Sequence, residues 1–320
     1  MHYPTDTNLL FDALRKVITL SAKVSKDYAL LGWGKGAYHL RQIKRLFRCT
    51  QKVKPSSSPD EKKKAKREKE REKAYREYLA QAQVQVQRGQ ETLLMLQGVT
   101  EAPLPVAVEL ENFLDHAHRQ INLIQRRVLS KETIPHNEKV FSLFESHTEW
   151  LSKGKAGVPV ELGVNTCILE DQYGFILHHI IMVNQTDEAV ALPMIEETQE
   201  RFPQLKQCSF DTGFHSLDNQ SKLRALLDMV VLPVKGRPSP QQAAFEASDE
   251  FVAARRKHAA VESAINALEV HGLDRCPDHG LHGFKRYVAL AVVARNIQIL
   301  GVRLQKKEVE AHKRRQKKAA

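Results

Sequence analysis

The chain has 320 residues, 42% of them hydrophobic, and its 49 Lys and Arg against 38 Asp and Glu give a formal net charge of +11. That hydrophobic content excludes wholesale disorder and allows one large domain with an insertion or two ordinary domains. The excess positive charge favours polyanionic partners. No segment approaches the ~20 consecutive apolar residues of a spanning helix, and the first residues lack the basic start and apolar stretch of a signal peptide, so no membrane partner is expected. Four scattered cysteines, Cys49, Cys167, Cys208 and Cys276, fit a reducing compartment better than a disulfide framework. A soluble, intracellular protein is expected.

Residues up to about 50 predict helix, with an apolar face along Leu9, Leu10, Leu14, Val17, Ile18 and Ala22. After the breaker KPSSSPD comes a charged helical stretch within 60–98, where Glu68 with Lys64 and Glu72 with Arg76 are i,i+4 pairs of opposite charge. A further helix is predicted over about 104–130, with Val108, Phe113, Leu114, Ile121 and Ile124 as its core stripe. Residues 1–136 thus form a mainly helical region. From about 137 the pattern changes: KVFSLF, VELGVNTCILE and FILHHIIMV predict strands, the last two joined by the turn DQYG. Then follow the helix ALPMIEETQERFP, the short strand QCSFD, a helix from about Asn219 to Met229, the strand VVLPV and mostly helix over 251–307, broken at HGLDRCPDHG. This order predicts an α/β domain over 137–307 with a mixed sheet and flanking helices, and a frayed basic tail at 308–320.

Two carboxylates are candidate ligands. Asp211 ends the strand QCSFD, where ligand-binding groups gather because the strand fixes the side chain and the loop leaves it accessible. An Asp there also caps turns without any further role. Glu262 lies on the flank of a helix whose apolar stripe is Val261, Ile265 and Leu268. Arg255, Arg256, Lys257 and His258 precede it and would attract phosphate. Converging carboxylates bind Mg²⁺, a hard ion that prefers oxygen, and Mn²⁺ would serve the same ligands. Two such ions assist phosphodiester transfer.

The segments HYPTDTNLLFDALRKV (2–17), FESHTEWLSKGKAG (144–157), CSFDTGFHS (208–216) and AAVESAINALEVHGLDRCPDHG (259–280) resemble, in the same order, bacterial insertion-sequence transposases with an RNase H-like DDE domain. The resemblance is to the broad insertion-sequence-four group. It implies an RNase H-like mixed sheet interrupted by a large helical insertion, with Asp211 and Glu262 as the second and third catalytic, metal-binding acids. It further implies Mg²⁺-dependent cutting and joining of double-stranded DNA at terminal inverted repeats and a target, in the bacterial cytoplasm at the nucleoid. Lys153, Lys155, Lys235, Arg237, Arg255, Arg256, Lys257 and His258 are expected to contact DNA phosphates. A homodimer is compatible with handling two element ends.

The sequence departs from the family in several places. Relatives carry the first catalytic Asp on a strand just before HYPTD, and Asp6, within HYPTD, is not its equivalent. That acid is therefore expected to be missing from these residues. Arg255 and His258 stand where Tyr and Arg are common, Glu269 where Lys is common, and Thr212 where a basic residue is common. Two alternatives follow: a catalytically dead DNA-binding remnant, and an RNase H-like nuclease without strand transfer. A charged helical scaffold leaves the strand-rich half unexplained. Cys276, His279 and His282 offer three zinc ligands without an obvious fourth, and Pro277 and Gly280 favour a plain loop. His178 and His179 alternate across a strand, one expected packed and the other exposed.

Overall fold

A computed structural model describes residues 4–30, 32–99, 104–152, 160–273 and 275–319, with the side chains of 257–263 and 317–319 outside that description. The chain divides into two compact units, Met1–Ser146 and His147–Ala320, a division that falls later than the 136/137 boundary expected from sequence.

The first unit is built from α1 (Asp6–Asp27), α2 (Gly36–Lys52), α3 (Glu61–Gln97) and α4 (Leu104–Ile124), the last running into a π-helical turn at Gln125–Leu129. Thr5 and Asp6, the last residues of HYPTD, start α1. The Thr5 side chain accepts a hydrogen bond from the Asn8 amide at 3.2 Å, satisfying a donor that the helix cannot. Asp6 accepts one from Arg127 Nε at 2.6 Å. Leu9, Leu10, Leu14, Val17 and Ile18 are buried as the periodicity predicts, against Leu110, Leu114, Ile121 and Ile124 of α4 and Tyr78 and Val86 of α3. Val108, expected on the α4 stripe, is exposed. Gly89 is where α3 approaches α1 and α4 most tightly, since a Cβ there would lie 2.7 Å from Val17 and 2.9 Å from Leu114.

The charged half of α3 carries i,i+3 ion pairs, Lys64–Glu61, Arg67–Glu70 and Arg71–Glu68, in place of the i,i+4 pairs read from sequence. Exposed pairs of this kind contribute little stability. The helix is held instead by its second half, where Tyr75, Tyr78, Leu79, Ala82 and Val86 are buried. Two amides sit awkwardly in this core: Gln85 and Gln120 are fully buried, and neither side chain has a hydrogen-bond partner. An unmatched buried amide costs about 1–3 kcal/mol. Gln120→Met keeps the volume and removes the polar atoms. It is therefore expected to stabilise the protein by about 1–2 kcal/mol in urea unfolding, and a loss of stability would show that the amide is paired.

The second unit contains three two-stranded sheets among its described residues. β1 (Glu149–Ser152) pairs antiparallel with β2 (Val160–Gly163), and β3 (Asn165–Glu170) antiparallel with β4 (Ile176–Met182). The DQYG turn between β3 and β4 is tied by Asp171, whose carboxylate accepts from the Tyr173 and Phe175 amides at 2.8 and 2.9 Å. β5 (Gln207–Ser209) and β6 (Met229–Val231) run parallel, linked through α6 (Leu217–Leu226). KVFSLF, expected as a strand, is irregular, and the predicted strand VELGVNTCILE is split between β2 and β3. The mixture of helices and small sheets fits the expected α/β class at that coarse level.

The helix α5 (Asp187–Arg201) covers one core that takes in Leu169 of β3, Ala191, Met194 and Ile195 of α5, Phe210 and Val230. α7 (Pro240–Glu246) and α8 (Asp249–Leu268) follow, and α8 contacts β5 and β6. A second core joins Ile176, Leu268, Val288 and Val292 beneath α9 (Gly280–Ala319). α9 continues through the residues expected to form a frayed tail. Within 280–316 it has a window of mean hydropathy 1.4, so by length and composition one described helix meets the requirement for crossing a membrane. A count of consecutive apolar residues passes over it because Arg295, Asn296 and Gln298 interrupt the run.

Candidate functional site

Asp211 lies just beyond β5, which Phe210 extends by donating its amide to Val231 O at 2.9 Å. Parallel pairing with β6 fixes the direction of the strand, and the chain then turns into the short helical segment Thr212–Phe214. Asp211 caps this turn, its carboxylate accepting from the Thr212 amide at 2.7 Å. The side chain is exposed. Capping engages one oxygen and leaves acceptor capacity on the carboxylate, so the structural role and a ligand role are compatible.

The neighbour that sequence reasoning missed is Asp187, in the first turn of α5. A Cβ placed on Gly213 would sit 2.5 Å from Asp187 Oδ2, so the glycine admits this carboxylate against the turn that Asp211 begins. Asn219 fastens the two segments together. It is buried, and its amide donates to Glu188 O at 2.8 Å and Phe214 O at 2.9 Å. Desolvation, and then the negative charge of Asp211, push the Asp187 carboxyl above its usual range, while Lys235 pulls it back. Lys235 also approaches Glu188 at 3.8 Å. The signal that could have found Asp187 was its place at the start of a helix directly after a strand, two elements before Asp211.

A raised carboxyl pKa means that ionisation costs more in the folded chain than in the unfolded one. The deficit is absent below the unfolded value, grows through the raised folded value and is complete above it. Asp187→Asn, a near-isostere, is therefore expected to raise the thermal midpoint at pH 7.5 and to lose that advantage below about pH 4. A lowered midpoint at pH 7.5 would mean that the negative charge is needed for folding.

Glu262 lies on α8, the helix that contacts β5 and β6, and its side chain is outside the described residues. The same holds for the side chains of Lys257 and His258, and Lys153 and Lys155 fall outside the described residues altogether. Arg255 and Arg256 are exposed on α8, and Lys235 and Arg237 are exposed in the loop after β6. The structure thus brings Lys235 to the Asp187–Asp211 pair through its charge and its contact with Glu188.

Among the described residues no group of three or more His, Cys, Asp or Glu side chains is arranged to hold a metal. Cys276 and His279 lie in the loop before α9, where the Cys276 thiol donates to Asp278 O at 3.7 Å and the His279 amide donates to the Asp278 carboxylate at 2.9 Å. His178 is buried between Glu197 at 3.0 Å and Arg201 at 2.6 Å, and His179 is only partly buried. Burial, followed by the neighbouring His178 and Arg201, lowers the pKa of His179.

Cys167 of β3 and Cys208 of β5 are both pushed up to about 12, chiefly by burial. Asp187 adds to the shift at Cys167, and Cys167 adds to that at Cys208, so these three residues are neighbours. β3 and β5 therefore approach each other under α5 while belonging to separate sheets. Comparison with family models, curated proteins and solved structures gives no match.

Proposed function

We propose that the chain is a DDE-type DNA transposase whose second unit is RNase H-like, with Asp211 and Glu262 as two of its metal-binding acids. The observation that carries this reading is the position of Asp211: exposed at the end of a parallel strand, beside a second carboxylate, with Lys235 near. It is supported by four ordered segments that resemble the insertion-sequence-four group and by the contact of α8, which bears Glu262, with β5 and β6.

The residues fit a hard divalent cation. The negative charge of Asp211 opposes the ionisation of Asp187, and a cation accepting oxygen donors relieves that repulsion. Asp211 and Glu262 would hold Mg²⁺ or Mn²⁺, which supplies Lewis-acid activation of oxygen for phosphodiester transfer. The protein's own contribution is positional. The Thr212 amide orients the Asp211 carboxylate, Asn219 fixes its turn to α5, and Lys235, Arg237, Arg255 and Arg256 attract DNA phosphates.

The family's first Asp has no counterpart at Asp6, which is bound to Arg127 in the first unit. In this reading a strand bearing that Asp, laid between β3 and β5, completes both the sheet and the acid set. Without such a strand, the protein retains phosphate binding and lacks strand transfer. This second state is the DNA-binding remnant, favoured by Asp6 being held by Arg127 and so not serving as the first acid. DNA joining by a chain supplied with that strand, in the presence of Mg²⁺, separates the two. Cutting without joined product would instead indicate a nuclease.

A further inference from the structure

Among the described residues, α9 holds to the rest of its unit by one side. Val288 and Val292 are buried, and Asn296 brackets Ile176, accepting from its amide and donating to its carbonyl, both at 2.9 Å. Arg303 donates to Tyr173 O at 2.6 Å and lies over the Tyr173 ring at 4.9 Å. Turned about 130° from this side, at 3.6 residues per turn, is a row of Leu290, Val293, Ile297, Leu300 and Leu304. Each of these five is between 49% and 67% exposed. Their spacing is alternately three and four residues, the a/d seam that pairs helices by knobs-into-holes packing. A lone exposed Leu needs no explanation, but a continuous seam of five does.

We propose that this face of α9 is a homodimer interface, covered by α9 of a second copy running antiparallel. Three features favour a second copy. The row is self-complementary: in an antiparallel pair the a positions of one helix face the d positions of the other, which sets Ile297 beside Leu300 and Val293 beside Leu304. Covering the five side chains removes on the order of 500 Å² per copy and 1,000 Å² in all, the area at which a specific interface begins. The direction follows from charge. A parallel pair would set Lys306, Lys307, Lys313, Arg314 and Arg315 of the two chains side by side, whereas an antiparallel pair separates them. The interface is independent of the transposase reading, since it uses neither Asp211 nor Glu262.

Sedimentation equilibrium of the full chain tests the proposal. A mass of twice 36.4 kDa is expected at tens of micromolar. Ile297→Glu combined with Leu300→Glu is expected to give the monomer mass with the circular dichroism spectrum of the wild type, because both side chains are exposed in the single chain. Should that variant misfold, Leu290→Lys at the end of the seam provides the same readout. Direction is tested by oxidising a mixture of Val293→Cys and Leu304→Cys chains that carry Cys49→Ser and Cys276→Ser. Cross-links between the two kinds of chain support the antiparallel arrangement, and links between two Val293→Cys chains overturn it. A monomeric wild type at 100 µM overturns the proposal, as does a dimer that survives the substitutions. A monomer that sediments with phosphatidylglycerol vesicles overturns it in favour of a lipid surface.

Discussion

Asp211→Ala is expected to lower Mg²⁺-dependent DNA joining by about 10³-fold or more, in a chain that carries the family's first-strand Asp. The magnitude corresponds to ~4 kcal/mol of transition-state stabilisation, a reasonable loss when a metal loses a charged ligand in a phosphodiester site. Glu262→Ala should match it, because groups that act as one unit do not contribute additively. The effect must appear in the chemical step. Asp211 is exposed and its carboxylate makes one backbone hydrogen bond, so its removal should leave the fold and the affinity for duplex DNA nearly unchanged. Band-shift and joining assays on the same preparations separate the two. A variant that binds DNA and joins it at the wild-type rate removes Asp211 from the mechanism.

Leu14→Ala carries the largest expected effect on stability, about 2–5 kcal/mol. Leu14 is fully buried on α1 in the core shared with α3 and α4, and helices held on several sides relax little into a new cavity. Denaturant unfolding with unchanged m-value should report the loss. Because Leu14 belongs to the first unit, the shift should appear only in the transition that reports the helical unit. A loss under 1 kcal/mol would mean that this core is far looser than its burial indicates.

Periodicity made the helical unit legible. The α1 row from Leu9 to Ile18 and most of the α4 row are buried where a 3.6-residue repeat puts them, because those helices pack on one side. Val108 breaks the pattern, being apolar but near the helix start and outside the shared core. In the charged part of α3, opposite charges occur at both three- and four-residue spacings, so sequence alone did not single out the i,i+3 partners. KVFSLF shows the limit of β-propensity: branched and aromatic residues suit a strand, but among the described residues no strand pairs with the segment.

The site was legible in part. Asp211 could be placed at a strand end from QCSFD and the Gly that follows, since both signals are local. Asp187 was signalled only by its place at a helix start after a strand, because its approach to Gly213 across the fold is not encoded in sequence spacing. The seam on α9 was missed for a different reason. Its five residues follow a helical repeat that also describes a buried face, and only their exposure sets them apart.

The most direct test of the central claim is a joining assay with duplex DNA bearing terminal inverted repeats of the kind the proposed function requires, using a chain that carries the first-strand Asp. The account predicts joined product with Mg²⁺, none with chelator, and none from Asp211→Ala or Glu262→Ala. Joined product from either variant at the wild-type level, or joining that persists in chelator, would contradict it.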